Sequence, residues 1–187
     1  MTDRIILFIG ASSSGKNYLL NKSLEENPNA QRIVTYTTRP IRNEAHEVNH
    51  IDYHFINDDR FDVLRLTGRL MEERTYNVKD NGKDAIWRYG TPYFVDEFCH
   101  EYYGVLDVSG AEVICKNYPN AEVIVYYVYA PEDVRTKRAE KRGNFKRDEW
   151  ERRLKADEED FSEEKLAKLD AVLRLYGNPP ITEIKNY

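Results

Sequence analysis

The feature that most constrains the fold is a short loop of small residues, Gly10–Lys16, between an apolar run and a helical pattern. The run Ile5–Ile9 is typical of a buried strand, and residues 18–24 favour a helix. Such a loop directs backbone N–H groups at an anion, and the helix that follows adds its positive N-terminal end. Lys16 supplies a full positive charge. The arrangement predicts a binding site for the phosphates of a nucleotide.

The residue after the lysine departs from the usual form of such a loop. Ser or Thr is usual there, because its hydroxyl contacts Mg²⁺, whereas this chain has Asn17. The amide carbonyl of Asn17 is also a hard oxygen, so Asn17 is a candidate ligand of the metal or of a metal-bound water; alternatively, phosphates and water alone hold the ion. The predicted nucleotide-binding residues are Gly10, Ser12, Ser13, Ser14, Gly15, Lys16 and Asn17.

Length and charge argue against several classes of protein. The 187 residues fit one domain, or one core with small inserted subdomains. Acidic residues outnumber basic residues by 33 to 28, which argues against a long nucleic acid as partner. The longest apolar run, Val123–Ala130, is too short to cross a bilayer, and the N-terminus has no signal-peptide pattern. With only two cysteines, the chain is expected in the reducing cytoplasm and not at a membrane.

Strand-like and helix-like segments alternate along the rest of the chain. Strands are predicted over residues 32–36, 104–108 and 122–129, and helical patterns over residues 58–73, 111–115 and from 131 onward. Asp80-Asn81-Gly82 is a turn signal between two further strands. A last helix is predicted from the helical spacing of the apolar residues Leu166, Leu169, Leu173 and Tyr176. This order predicts a parallel sheet with helices on both faces.

A second cluster of charge lies between residues 35 and 55. Arg39 and Arg42 are three residues apart in a polar stretch, and Glu47 and Tyr53 follow. Two rigid guanidinium groups and a tyrosine hydroxyl can surround one phosphate monoester. Composition alone leaves a solvated loop with scattered charges as an equal alternative.

These motifs together resemble the guanylate kinase family, from the strand before Gly10 to about Leu154. That family has a glycine loop of this kind, then Ser/Thr-Thr-Arg-x-x-Arg, then Glu followed by Asp-Tyr-x-Phe, and later Glu before Tyr-Gly-Ser/Thr. The matching positions here are Thr37–Arg42, Glu47, Asp52–Phe55, Glu72 and Tyr89–Thr91. The interval from Arg42 to Glu47 is about two residues longer than usual, and the long stretch before Tyr89 indicates an extended hairpin.

The resemblance implies a P-loop kinase of the α/β class. Such a fold has a parallel sheet flanked by helices, an inserted mixed α+β subdomain that binds the acceptor, and a helical lid. One guanylate-kinase-like domain would span residues 1–187. Its parts would be a core of residues 1–34, 103–131 and 154–187, an acceptor-binding insert of residues 35–102, and a lid of residues 132–153.

The resemblance also implies roles for the acceptor-site residues. The acceptor phosphate would be bound by Arg39, Arg42, Tyr53 and Tyr89. The base pocket would be lined by Thr35, Glu72 and Thr91. A carboxylate suits guanine because it accepts from the ring N–H and the exocyclic amine together. The complete predicted substrate-binding set is Thr35, Arg39, Arg42, Glu47, Tyr53, Glu72, Tyr89, Thr91, Asp107 and Ser109.

Two further segments carry the resemblance. Asp107 matches the first aspartate of the family's Leu-Asp-x-Asp segment. It is a second candidate metal ligand, directly or through water. Alternatively, Asp107 has only a structural role as the turn residue that ends the strand. Ser109 replaces the second aspartate. The second segment resembles the family's lid, whose arginines stabilise the negative charge of the phosphoryl-transfer transition state. Alternatively, the arginines of this segment lie on a charged helix that is merely solvated. The predicted catalytic residues are Lys16, Arg39, Arg138, Arg142 and Arg153.

The leading interpretation is an enzyme that uses ATP and Mg²⁺ to convert GMP or dGMP into GDP or dGDP, with small-molecule nucleotides as partners, as a monomer or homodimer. One alternative is a kinase of the same fold with a non-guanine acceptor such as ribose 1,5-bisphosphate, which Asn17 and Val48–Ile51 favour slightly. A second alternative is a non-catalytic module that binds phosphopeptides. The segment Leu106–Ser109 resembles the sequence of such modules at this strand. Such modules tend to lose the glycine loop and the lid arginines, and this chain has both.

Overall fold

The computed structural model describes residues 3–42, 47–80, 82–95, 100–141, 145–167, 169 and 172–176. The chain divides into two units, Met1–Ile33 with Val95–Tyr187, and Val34–Phe94. The finer division into core, insert and lid stays a prediction. None of the helices in the described part of the chain has the length and hydropathy of a membrane span.

Strands and helices alternate along the first unit, and the second unit is mostly strand. In chain order, the elements are β1 (Arg4–Ile9), α1 (Lys16–Glu26), β2 (Gln31–Arg32), β3 (Tyr36–Thr37), β4 (His54–Phe55), α2 (Asp58–Leu66), β5 (Leu70–Asp80), β6 (Lys83–Pro92), β7 (Glu101–Val105), α3 (Val108–Asn117), β8 (Glu122–Tyr129), α4 (Glu132–Lys141), α5 (Arg147–Asp160), α6 (Glu163–Leu166) and β9 (Val172–Tyr176).

The sheet of the first unit is parallel and has the strand order β2-β7-β1-β8-β9. Both faces of the central strand β1 are buried, since Leu7 and Phe8 point to opposite sides and neither is exposed. Leu19 and Leu20 of α1 pack with Phe8 on one of these faces. A parallel sheet covered on both sides explains why β1 and β8 are continuous apolar runs. The predicted α/β class, with a parallel sheet flanked by helices, is confirmed.

The two charged helices of the first unit are joined through one aromatic side chain. Trp150 of α5 is buried, and its Nε1 donates a hydrogen bond to Oγ1 of Thr136 on α4 at 3.0 Å. Its ring also lies near the ring of Phe145. Because few other apolar residues occur in these helices, Trp150 fixes how α4 and α5 lie against each other.

The second unit is built on a mixed sheet with the strand order β4-β3-β6-β5. The hairpin of β5 and β6 pairs from Leu70 with Pro92 to Asp80 with Lys83, which confirms the predicted hairpin, although Asn81 itself lies outside the described residues. Helix α2 begins at an Asn57 side-chain cap and buries Phe61.

Three local predictions were wrong. The last segment, Val172–Tyr176, is a strand parallel to β8 and not a helix, because a short apolar run has no reliable period. The helix predicted over residues 58–73 ends at Leu66, two residues before Gly68, whose φ is 64°. The strand predicted over residues 32–36 is two short strands that belong to different sheets.

Candidate active site

The loop after β1 has the backbone geometry that its glycines allow. Gly10 has a φ of 145°, and a Cβ there would lie 2.4 Å from the carbonyl oxygen of Val128 on β8, so only glycine fits. Gly15 has a φ of 118° and precedes the first turn of α1. Ser13 adopts a φ of 61°, which is uncommon for a residue with a side chain. The loop is therefore held in a conformation that costs free energy, a common property of binding sites.

Several donors of this loop remain available to an anion. The N–H of Ser14 donates to Ala11 O at 3.2 Å within the loop. By contrast, the N–H groups of Ser13 and Gly15 make no hydrogen bond within the described residues. The Ser14 hydroxyl is fully buried and also lacks a partner there. Buried polar groups are normally paired, so the Ser14 hydroxyl is a candidate donor to a ligand, and the N–H groups of Ser13 and Gly15 are two more.

Lys16 lies across its own loop. Its Nζ donates to Gly10 O at 2.6 Å and to Ala11 O at 2.9 Å. A flexible lysine stem lets the same ammonium leave these carbonyls and contact phosphate oxygens. Asn17, the next residue, is exposed in the first turn of α1.

One predicted lid arginine contacts the loop and one does not. Arg138 of α4 donates from Nη1 to Ser14 O at 2.7 Å and to Ser13 O at 3.3 Å. Arg153 of α5 instead pairs with Glu149 at 2.9 Å. Burial opposes ionisation of Glu149, but hydrogen bonds from Arg152 and Arg153 outweigh it and lower the pKa of Glu149 to about 2. Arg142 lies outside the described residues.

Two charged residues that sequence reasoning missed also contact the loop. Asp157 of α5 accepts from the Ser12 N–H at 2.9 Å and from the Ser12 hydroxyl at 3.2 Å. Arg135 of α4 pairs with Asp157 at 3.1 Å. Both residues belong to a run of charges in which most side chains are solvated, so no local pattern distinguishes them.

The candidate metal ligands of the first unit offer hard oxygens. Asp107 caps α3, with Oδ1 accepting from the Gly110 N–H at 2.9 Å, and Ser109 is exposed in the first turn of that helix. Within the described residues, no three His, Cys, Asp or Glu side chains form a cluster that holds a metal ion. The amide oxygen of Asn17 and the carboxylate of Asp107 are each a donor type that suits Mg²⁺, which keeps several waters and binds substrate phosphates.

In the second unit, Arg39 is buried and bound end-on by Glu47. Its side chain is 2% exposed, and its Nη1 and Nη2 donate to the two Glu47 oxygens at 2.9 and 2.8 Å. Nη1 also donates to Pro40 O at 2.7 Å. Burial opposes the charge, yet the Glu47 carboxylate raises the pKa of Arg39 above its ordinary value. Arg39 is thus a fixed cation.

The other edge of the Arg39 guanidinium has donor capacity that Glu47 does not use. Its Nε is buried and has no partner in the described part of the chain. A planar guanidinium has five donors, and Nε–H lies on the same edge as the second hydrogen of Nη2, so this edge can bind two oxygens of one phosphate. Tyr53 lies beneath the guanidinium at 5.3 Å and contacts Tyr89 edge to face. Desolvation, with a smaller contribution from Tyr89, raises the pKa of Tyr53 to about 12, so its hydroxyl stays a hydrogen-bond donor at neutral pH.

Arg42 is held beside this cation through its backbone. Its N–H donates to Glu47 Oε2 at 2.8 Å, and its guanidinium lies 5.6 Å from the ring centre of Trp87 on β6. Glu47 therefore binds the guanidinium of Arg39 and the backbone of Arg42. The ring of Trp87 packs against the Arg42 guanidinium.

The face of the sheet next to these arginines includes the predicted base-pocket carboxylate. Glu72 pairs with Thr91 across the hairpin, and Arg74 pairs with Tyr89, so the four side chains share one face. Glu72 accepts from the Thr91 hydroxyl at 2.9 Å and from Arg74 Nε at 3.1 Å. Thr35 precedes β3, and its carbonyl accepts from the His54 N–H at 2.9 Å. The structure thus brings Glu72 and Thr91 into direct contact.

Known proteins resemble this chain over most of its length. The guanylate kinase family profile matches residues 2–174. A guanylate kinase of Rubrobacter xylanophilus is 30% identical over 155 residues, covering 81% of this chain and 75% of the relative. A guanylate kinase of Chlorobium luteolum is 27% identical over 145 residues, covering 74% and 68%. The crystal structure of a guanylate kinase from Anaplasma phagocytophilum has the same fold, with a TM-score of 0.61 at 22% identity, over 100% of this chain and 82% of that one. The chain belongs to the guanylate kinase family.

Proposed function

We propose that this protein transfers the γ-phosphate of ATP to GMP or dGMP, giving ADP and GDP or dGDP. Family membership supplies the reaction class. The observation that supports a phosphate-bearing acceptor is the environment of Arg39. This buried cation is bound by Glu47 at its Nη edge, while its Nε has no partner in the described part of the chain. A phosphate monoester matches that edge in charge and geometry.

Each unit would bind one substrate through its own residues. ATP would bind at residues 10–17, where Lys16 leaves the loop carbonyls for the phosphates and Arg138 contributes a second cation. GMP would bind with its phosphate at Arg39, Arg42, Tyr53 and Tyr89, and with its base at Thr35, Glu72 and Thr91. Asp107, Ser109, Arg142 and Arg153 remain proposed members of the site. Cations around the transferred group stabilise the transition state, so no protein nucleophile is required.

Magnesium would be bound by Asn17 and Asp107, directly or through water. When bound, it neutralises phosphate charge in reactions of this class. We further propose that the reaction takes place in the cytoplasm, with a monomer or homodimer as the active form.

One specific observation favours a second candidate, a kinase for ribose 1,5-bisphosphate. Asn17 replaces the usual hydroxyl residue, as is often the case in that branch of the fold. The hydrogen bond between Glu72 and Thr91 favours the nucleotide, because a sugar bisphosphate has no base edge for such a pair to bind.

Release of ADP with different acceptors distinguishes the candidates. The purified protein is assayed with ATP, Mg²⁺ and each of GMP, dGMP, AMP, CMP and ribose 1,5-bisphosphate. We expect GMP or dGMP to be the best acceptor. If another compound exceeds both by about tenfold in kcat/KM, the guanine assignment is wrong. If ATP does not bind, the protein is a non-catalytic module of this fold.

A further inference from the structure

Helices α4 and α5 place an ion pair against the phosphate loop. Asp157 contacts Ser12 through both carboxylate oxygens, and Arg135 pairs with Asp157 and lies 3.5 Å from Ser12 O. The two side chains are only 12% and 13% exposed. Partly buried charges of this kind are costly unless they are paired and hydrogen-bonded, so the contact is a specific one.

The carboxylate accepts from Ser12, one of the predicted nucleotide-binding residues, and leaves other donors of the loop unbonded. It accepts from Ser12, while the N–H groups of Ser13 and Gly15 make no hydrogen bond within the residues described above. A carboxylate that blocked the loop would occupy those donors. The contact is therefore suited to support the loop.

The loop requires such support. Ser13 has a φ of 61°, a conformation that persists only where the surroundings hold it. Asp157 fixes Ser12 on one side of this residue, and Arg138 binds the carbonyls of Ser13 and Ser14 on the other.

We propose that Asp157 is a positioning residue that holds the phosphate loop in its nucleotide-binding conformation before ATP arrives, and that Arg135 orients Asp157 and offsets its charge. This role rests on the proposed binding of ATP to the loop. A loop that is already ordered binds its ligand without the entropic cost of ordering. Because Arg135 offsets the carboxylate, Asp157 supports the loop with little repulsion of the incoming phosphates.

The test is the dissociation constant of ATP, measured by calorimetric titration without an acceptor, with the dissociation constant of GMP as internal reference. We expect Asp157→Ala to weaken ATP binding about tenfold or more and to leave GMP binding unchanged. Asp157→Asn keeps an acceptor for the Ser12 N–H and is expected to bind ATP within about threefold of the wild type. The matched control is Glu158→Ala, which removes an exposed carboxylate from the same helix and should change neither constant.

The direction of the change in ATP affinity shows whether Asp157 supports the phosphate loop or blocks it. Tighter ATP binding by Asp157→Ala would mean that the carboxylate competes with phosphate, and unchanged binding would mean that it has no role; either result overturns the proposal. If Asp157→Ala does not fold, Asp157→Glu moves the charge by one methylene and must weaken ATP binding in the same direction. If the wild type does not bind ATP, the proposed function is wrong and the role of Asp157 falls with it.

Discussion

Glu47 binds Arg39 end-on with both carboxylate oxygens, at 2.8 and 2.9 Å, and the same carboxylate accepts from the backbone N–H of Arg42. One acidic residue thus orients the Arg39 guanidinium and fixes the backbone of Arg42. It leaves the buried Nε of Arg39 without a partner in the described part of the chain, so we expect Glu47 to position Arg39 for the acceptor phosphate.

We predict that Glu47→Gln raises the KM for GMP about tenfold, because the amide replaces one acceptor by a donor that faces Arg39. The KM for ATP should not change. Steady-state kinetics with each substrate varied in turn measure both constants. Asp59→Asn, an exposed substitution in the same unit, is the control. An equal rise in both KM values would indicate general damage to the fold and not loss of Arg39 positioning.

The base pocket is tested by Glu72. Replacing Glu72 by Gln removes the carboxylate that would accept from two guanine donors, so we expect kcat/KM for GMP to fall about a hundredfold while that for AMP changes much less. Glu73→Gln is the matched control, because Glu73 points to the opposite face of the sheet and lies near Arg65 and Arg88. If Glu73→Gln lowers the GMP preference as much as Glu72→Gln, guanine is not recognised by Glu72.

The requirement for glycine at position 10 can be tested by measuring the free energy of unfolding. Gly10→Ala places a Cβ against the Val128 carbonyl, and we expect it to lower the free energy of unfolding by about 2–4 kcal/mol. Gly68→Ala is the control that measures the cost of a positive φ without a steric clash. Gly68 also has a positive φ, but no atom lies within 4 Å of the Cβ that alanine would add. This substitution should cost only about 1 kcal/mol. Urea unfolding at neutral pH measures both, and equal costs would refute the close approach to Val128.

Helix α5 should have a pH-dependent stability through Glu149. The folded state lowers its pKa from 4.5 to about 2, so its contribution is present above about pH 5 and is lost as the pH falls toward 2. We expect Glu149→Gln to lower the free energy of unfolding by about 1–2 kcal/mol at pH 7, after allowance for solvent screening, and by less than about half as much at pH 3. Urea titrations at both pH values test this, with exposed Glu151→Gln as control. A difference that does not depend on pH would refute the assignment.

The sequence was sufficient for the central strands and for the hairpin, because both follow from strong local signals. Strands β1 and β8 are apolar runs that a doubly covered sheet requires, and Asp80-Asn81-Gly82 separates two pairing strands. It was insufficient for Val172–Tyr176, since leucine spacing in a short segment fits a helix and a strand equally well.

Part of the site depends on contacts between residues distant in sequence. Ser12 and Asp157 are 145 positions apart, and nothing in the charged segment around Asp157 indicates that it alone reaches the loop. The motif around Arg39 predicted two arginines for one phosphate, but not that Glu47 binds one edge of the guanidinium while Nε on the other edge has no partner among the described residues. Only the folded chain supplies that geometry.

The central claim is that phosphate passes from ATP on the lysine-bearing loop to GMP, and labelled transfer tests it most directly. The protein is incubated with γ-labelled ATP and GMP, and the nucleotides are separated. We predict labelled GDP from the wild type, and a rate lower by about a hundredfold or more for Lys16→Ala with an unchanged unfolding curve. Labelled inorganic phosphate without labelled GDP, or an unchanged rate in the folded Lys16→Ala variant, would contradict the claim.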